Sequence, residues 1–231
     1  MTELQYHFVK KPINGRRLLI SDIHGCFKTF KKLLKKIKLQ KQDQLFLLGD
    51  FVNKGPASNK VLDLILKLQR KKFTIYLIRG NHEQIVLNTI FKSVGQRKRM
   101  LKNVNALNLL DGKQIKNTYI KLLESSFHFI ELDCAYLVHA GFNSKKNTFS
   151  DKKAMISAKK FDYDAHLFQN KQVFIGHSPT PFSKIKSNVK NRSKIVCIDN
   201  GCVNEGEPDE GRLACINIDT SEIHRKKYAE F

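Results

Sequence analysis

The sequence predicts an α/β fold in which two packed β-sheets are flanked by helices. Three observations carry that expectation. In the first half, apolar runs of strand length alternate with helix-period segments. In the second half, strand-like runs dominate. No internal repeat, low-complexity tract or linker divides the 231 residues, so a single domain over 1–231 is expected.

The elements follow in order. RLLISD (17–22) reads as a strand, and FKTFKKLLKKIKL (27–39) follows with apolar residues at 27, 30, 33, 34 and 37, a helical stripe. LFLLGD (45–50) is the second strand. SNKVLDLILKLQR (58–70) is the second helix, with Ser58 suited to its N-cap, and FTIYLIRG (73–80) is the third strand. Strand–helix–strand–helix–strand implies right-handed parallel βαβ connections. Residues 83–125 read mostly as helix, broken by GQRKRM. Strands return at 127–133, 135–140, 172–177, 194–199 and 212–219, with a polar loop and a short helix over 143–171.

Composition bounds the function. At 41% hydrophobic the chain can bury a sizeable core. The first residues, MTELQYHFVKKPINGRR, have no signal-peptide run, and no stretch approaches the roughly 18 apolar residues of a membrane span. A cytoplasmic protein is expected. The five cysteines are odd in number and form no C-x-x-C, which argues for reduced thiols over a disulfide framework or a zinc ribbon. A net charge of +21 implies attraction to anions. The excess is mostly lysine and no nucleic-acid-binding signature appears, so specific nucleic-acid recognition is not expected.

Five strands end alike. Strand 17–22 ends in Asp22 and continues through Ile23-His24-Gly25; 45–49 ends in Gly49-Asp50; 73–79 ends in Gly80-Asn81-His82-Glu83; 135–138 ends in His139-Ala140-Gly141; 172–175 ends in Gly176-His177. Open α/β sheets place ligands beyond the carboxyl ends of their strands. Any one of these residues alone reads as a turn, a cap or a hydrogen-bonded interior histidine. Together, two aspartates, an asparagine and three histidines form an oxygen-plus-imidazole donor set, which suits manganese, iron or zinc.

The blocks SDIHG, GDFVNKG, GNHE, HAG and GHSPT resemble the signature blocks of the calcineurin-like metallophosphoesterases. They are most similar to the Ser/Thr phosphoprotein-phosphatase branch, with its bacterial and phage phosphatases and the symmetrical diadenosine tetraphosphatases. The resemblance covers about residues 17–202. It implies a four-layer α/β sandwich, two mixed sheets between helices, around two divalent metal ions, manganese first and iron or zinc as alternatives. One ion would be held by Asp22, His24 and Asp50, the other by Asp50, Asn81, His139 and His177. Asp50 would bridge two ions about 3.5–4 Å apart, which acidify the water that attacks phosphorus. His82 would protonate the leaving oxygen. Glu83 would support the turn.

The chain departs from the family pattern at several positions, mildly at Ser21, which stands in place of a glycine. Where the family carries Gly-Asp-x-Val-Asp-Arg-Gly, this chain has Gly-Asp-Phe-Val-Asn-Lys-Gly. Asn53 replaces the aspartate that orients the catalytic histidine and is expected to offer it an uncharged acceptor. Lys54 replaces the phosphate-gripping arginine, keeping the charge without the fork. AMISAKKF (154–161) falls where related bacterial sequences carry a second arginine, which would make Lys159 another phosphate contact. Drift in a lysine-biased chain is the plain alternative. The expected substrate is a phosphorylated protein or a nucleotide: phosphoserine and phosphothreonine first, a dinucleoside tetraphosphate second. The reading from a different class is a catalytically weak metal-containing protein that binds phosphate or nucleic acid.

Overall fold

The computed structural model describes residues 4–143 and 148–231. A short strand β1 (Tyr6–Phe8) precedes β2 (Arg17–Ile20), helix α1 (Phe27–Lys36), β3 (Gln44–Leu47), α2 (Ser58–Arg70) and β4 (Thr74–Leu77). Next come α3 (Asn81–Asn88), α4 (Val94–Asn103), the two-residue strands β5 (Leu110–Asp111) and β6 (Gln114–Ile115), and α5 (Asn117–Glu124). The second half contains β7 (Phe129–Glu131), β8 (Ala135–Val138), α6 (Lys152–Ser157), β9 (Gln172–Ile175), α7 (Phe182–Lys190), β10 (Ile195–Cys197), β11 (Arg212–Asn217) and β12 (Ile223–Lys227). Among the described residues no helix is long and apolar enough to cross a membrane.

The strands form two five-stranded mixed sheets, ordered β12-β11-β2-β3-β4 and β1-β7-β8-β9-β10. In the first, β2, β3 and β4 run parallel, as the βαβ pattern required. In the second, β8, β9 and β10 run parallel. Side-chain alternation assigns the layers. Leu18, Ile20, Leu45 and Leu47 point outward onto Phe30, Leu33, Val61, Leu62 and Ile65 of α1 and α2. Leu19, Phe46 and Leu48 point inward, onto Leu137, Phe174 and Ile130 of the other sheet. Tyr136, Val138 and Val173 face away on the far side, against Phe142, Met155 and Phe168. The result is the metallophosphatase sandwich. Its parallel strands deliver their carboxyl ends to one edge of each sheet.

Local chemistry explains where the sequence pattern succeeds and where it fails. Helix α1 buries Phe30, Leu33 and Leu34 and places Lys35 and Lys36 in its last turn, where cations complement the helix dipole. Helix α4 starts at a capping box in which Ser93 and Gln96 satisfy each other's main chains. The stretch 83–125, expected to be mostly helical, contains a β5–β6 hairpin. Its turn begins at Gly112 with φ +61, and the paired runs are too short to show a period. Strands β1 and β12 were not anticipated because their residues do not alternate. Tyr6, His7 and Phe8 are all exposed, and β12 reads IHRKK. Both are edge strands, defined by pairing rather than by burial. The short helix expected with the polar loop over 143–171 is α6; residues 144–147 lie outside the described residues.

Candidate metal centre

Parallel pairing of β2, β3 and β4 aligns the ends that carry Asp22, Asp50 and Asn81. β8 and β9, paired in the facing sheet, bring His139 and His177. Close approach of these ends requires glycine. A Cβ on Gly80 would overlap Asp50 Oδ1, and one on Gly176 would overlap Ser21 Oγ and Asp22 Oδ2. Asp22, His24, Asp50, Asn53, Lys54 and His177 have φ values between +45° and +71°. Each left-handed non-glycine residue costs on the order of 1–3 kcal/mol, and such strain collects at functional sites.

The six residues of the oxygen-plus-imidazole set meet in one cluster. His24 Nε2 lies 3.7 Å from Asp50 Oδ2, and His139 Nε2 lies 3.4 Å from Asp50 Oδ1. Asn81 Oδ1 is 3.1 Å from His139 Nε2 and 3.0 Å from His177 Nδ1. The main-chain N–H of His177 donates to both oxygens of Asp22, at 3.1 and 3.0 Å. His82 Nε2 stands 3.9 Å from Asp50 Oδ2, and its ring meets the His24 ring edge-on at 4.8 Å. The two oxygens of Asp50 thus face different partners: Oδ2 faces His24 and His82, Oδ1 faces His139.

Electrostatics shows what this cluster lacks. Burial is the main force raising Asp50 to about 7; the main-chain N–H of His82 and the charge of Lys54 oppose it. Burial, then the charge of Asp50, pushes Asp22 well above the usual carboxylate range. Burial brings His82, His139 and His177 down to about 4 and drives His24 well below its ordinary value. The carboxylates are short of positive charge, and the imidazoles are neutral. His139 donates its Nδ1–H to Leu48 O at 2.8 Å, so its Nε2 lone pair faces Asn81 Oδ1, which can only accept, and His177 Nδ1, each at 3.1 Å. Converging lone pairs beside buried carboxylates fit divalent cations. Two His/Asp sites able to hold such ions are present, Asp50-His139-His177 and His24-Asp50-His82, with ligand atoms within 4.8 Å of one another in each. Asp50 belongs to both. Asp22 reaches the cluster through the main chain of His177 and belongs to neither triplet.

The neighbours of the cluster fix its shape. Glu83 is buried and accepts from the main-chain N–H groups of Asp50 (2.7 Å), Phe51 (2.9 Å) and Gly80 (2.9 Å), clasping the ends of β3 and β4 together. Asn53 Nδ2 faces His82 Nδ1 at 3.0 Å and His82 O at 3.3 Å. The amide therefore gives a hydrogen to the histidine instead of accepting one, contrary to the expectation from sequence. Lys54 Nζ is 2.8 Å from His24 Nε2. Lys159 is exposed just beyond the end of α6, and no contact between its side chain and the cluster occurs among the described residues.

Two contributors escaped the sequence reading. Ser21 Oγ hydrogen-bonds Asp22 Oδ2. Asp199 is 4% exposed; its charge raises Asp50, and burial, then the charge of Asp22, pushes Asp199 itself well above the usual carboxylate range. The signal for Asp199 was present: KIVCIDNG has the same strand–acid–glycine form as the other blocks. β10 delivers it to the same sheet edge as β9.

Comparisons with known proteins agree with this geometry. The profile of a family described as calcineurin-like phosphoesterase matches residues 15–209. The symmetrical bis(5′-nucleosyl)-tetraphosphatase of Wigglesworthia glossinidia brevipalpis is 39% identical over 94 residues, 39% of this chain and 34% of that protein. The asymmetrical bis(5′-nucleosyl)-tetraphosphatase PrpE of Anoxybacillus flavithermus is 26% identical over 219 residues, 82% of this chain and 86% of that one. The chain spans half or less of the length of the symmetrical relatives it matches first. In fold, it is like a protein serine/threonine phosphatase from Saccharomyces cerevisiae, at TM-score 0.69 and 15% identity, covering 99% of this chain and 84% of that one.

Proposed function

We propose a metal-dependent phosphoesterase activity for this chain, which belongs to the calcineurin-like phosphoesterase family. Its substrate class is a dinucleoside polyphosphate, cleaved symmetrically, so that a bis(5′-nucleosyl) tetraphosphate gives two nucleoside diphosphates. The observation that carries the reaction type is the position of Asp50 in both His/Asp triplets. Asp22, His24 and Asp50 would hold one ion, and Asp50, Asn81, His139 and His177 the other. When bound, the ions supply the positive charge that polarises phosphoryl oxygens and acidifies water.

The chain's own residues favour an anhydride over a seryl ester. Asn53 donates toward His82 Nδ1, which leaves the ring hydrogen on Nε2, the nitrogen that faces Asp50. Held this way, His82 offers a neutral hydrogen bond to a departing oxygen. A nucleoside diphosphate leaves readily with that help. A serine alkoxide needs full protonation. The sequence relatives that are bis(5′-nucleosyl)-tetraphosphatases support the same substrate class. A groove of about 620 Å³ opens beside α3, close in sequence to His82, with Leu87, Ile90, Phe91 and Ile156 in its lining. Its apolar wall suits a nucleobase.

The test is hydrolysis of diadenosine tetraphosphate by the manganese-loaded protein, with products separated by chromatography and phosphoserine and phosphothreonine peptides assayed in parallel. ADP as the product is expected. ATP with AMP would overturn symmetrical cleavage. Phosphate release from peptides without nucleotide hydrolysis would overturn the substrate class.

A further inference from the structure

Lys54 occupies a place where a cation is needed. Its ammonium is 2.8 Å from His24 Nε2. The other ring nitrogen of His24, Nδ1, faces Val52 O at 3.3 Å and can only donate to it, so Nε2 presents its lone pair to Lys54. The Lys54 main chain is fixed on both sides: its N–H donates to Val104 O at 2.9 Å, and its carbonyl accepts from Asn105 Nδ2 at 2.9 Å. The residue is nevertheless exposed overall, while the contact of its ammonium with His24 is part-buried. The positive charge of Lys54 acts on Asp22, His24, Asp50, His82, His139, His177 and Asp199.

We infer that Lys54 is an internal cation that competes with a metal ion for His24 and makes the two metal sites unequal. This deepens the two-ion reading of the site and rests on it. An imidazole nitrogen has one lone pair, and a neutral His24 cannot give it to an ammonium and to an ion together. The site around Asp50, Asn81, His139 and His177 has no ammonium in hydrogen-bond contact with its ligand atoms among the described residues, so it fills first. Filling the His24 side requires the Lys54 head to withdraw. Its flexible, exposed four-carbon stem permits this. Once withdrawn, the ammonium stands at the mouth as a free cation for a substrate phosphate. Loading of the second ion and exposure of a phosphate-binding charge are then one event.

The competition has a readable size. A hydrogen bond to a charged group is worth enough to weaken a competing ion by roughly 10- to 100-fold. The experiment is a Mn²⁺ titration of the apo-protein by calorimetry and electron paramagnetic resonance, without substrate, on the wild type, Lys54→Met and Lys54→Arg. The wild type is expected to bind one Mn²⁺ tightly, with an uncoupled mononuclear signal, and a second more weakly. Lys54→Met should tighten the first affinity only slightly, through the lost charge, and the second by about 10- to 100-fold. Lys54→Arg keeps the charge and should keep the second ion weak. Equal affinities in the wild type, an unchanged second affinity in Lys54→Met, or tightening in Lys54→Arg as large as in Lys54→Met would each overturn the inference. Failure to bind two ions in all three proteins would instead overturn the two-ion reading beneath it.

Discussion

The side-chain nitrogen of Asn53 lies 3.0 Å from Nδ1 of His82 and 3.3 Å from the main-chain oxygen of the same residue. The carbonyl can only accept, so the amide is oriented with its nitrogen toward His82. Its oxygen is left buried without a partner. An amide here chooses a tautomer: it places the imidazole hydrogen on the nitrogen that faces the metal cluster.

Asn53→Asp reverses that choice. A carboxylate only accepts, so His82 Nδ1 must carry a hydrogen, and the ring can then lend a second one from Nε2. Hydrolysis of alkyl phosphates should rise by about 10²-fold relative to p-nitrophenyl phosphate, at the lower end of what general-acid catalysis supplies. A leaving-group series measured on both proteins checks this. An unchanged slope would mean that the amide does not set the tautomer.

Asp50 is the residue whose loss should affect both ions. Asp50→Asn removes the only carboxylate common to the two triplets. Hydrolysis should fall by at least about 10³-fold, the equivalent of the several kcal/mol that bound ions contribute. Metal analysis of the purified variant should show depletion on both sides. Chelation gives a second readout. Free Mn²⁺ at 100 times its dissociation constant should stabilise the wild type by about 2.7 kcal/mol against thermal unfolding. The variant should gain almost nothing. Normal metal content in Asp50→Asn would rule out its shared role.

Much of this architecture was legible in the sequence because burial writes a period into it. LFLL and RLLI are buried along their length and end in polar groups that only a ligand-binding edge tolerates. What escaped has a common cause. β1 and β12 exist by edge pairing, which leaves no alternation. Lys54's position against His24 and the donor sense of Asn53 depend on side-chain orientation, which residue type does not encode. Asp199 was readable as a strand-terminal acid. Its charge raises Asp50, and the charge of Asp22 raises it in turn.

The net charge of +21 should act on capture. An exposed basic surface raises the local concentration of a polyanion and is screened over about 8 Å at physiological salt. Raising salt from low to physiological should lower kcat/KM for a dinucleoside tetraphosphate and leave kcat for a small monoester nearly unchanged. Salt-independent kcat/KM would assign the lysines to a solvated surface only.

Acid stability should be sensitive at Asp43, remote from the catalytic chemistry. Its carboxylate accepts from Arg16 Nη2 at 2.6 Å, from the Arg16 N–H at 2.9 Å and from the Gln40 N–H at 2.9 Å. Burial opposes its charge, but these hydrogen bonds outweigh burial and hold it below the usual carboxylate range. A carboxyl whose folded pKa is depressed stabilises the fold above its unfolded value of about 3.9 and loses that contribution as pH falls through the folded value. Asp43→Asn should therefore cost about 1.5–3 kcal/mol at pH 7. Urea titrations should show the difference from wild type shrinking below about pH 4.

Two glycines with opposite surroundings allow the site's tight packing to be tested. A Cβ on Gly80 would overlap Asp50 Oδ1 and stand 2.7 Å from Asp50 N and 2.9 Å from Glu83 Oε2. Those atoms cannot retreat cheaply, because Glu83 ties the main chain of Asp50, Phe51 and Gly80 into one clasp. Gly80→Ala should cost about 1–3 kcal/mol by overpacking. It should also displace the Asp50 carboxylate, so metal affinity and hydrolysis fall together. Gly95, inside α4, has nothing within 4 Å of where its Cβ would stand. Gly95→Ala should stabilise the protein by about 0.5–1 kcal/mol through helix propensity and leave metal binding unchanged. Thermal melts and Mn²⁺ titrations of the two variants, side by side, decide the matter. If Gly80→Ala binds Mn²⁺ as the wild type does, the approach of β4 to Asp50 does not position the bridge.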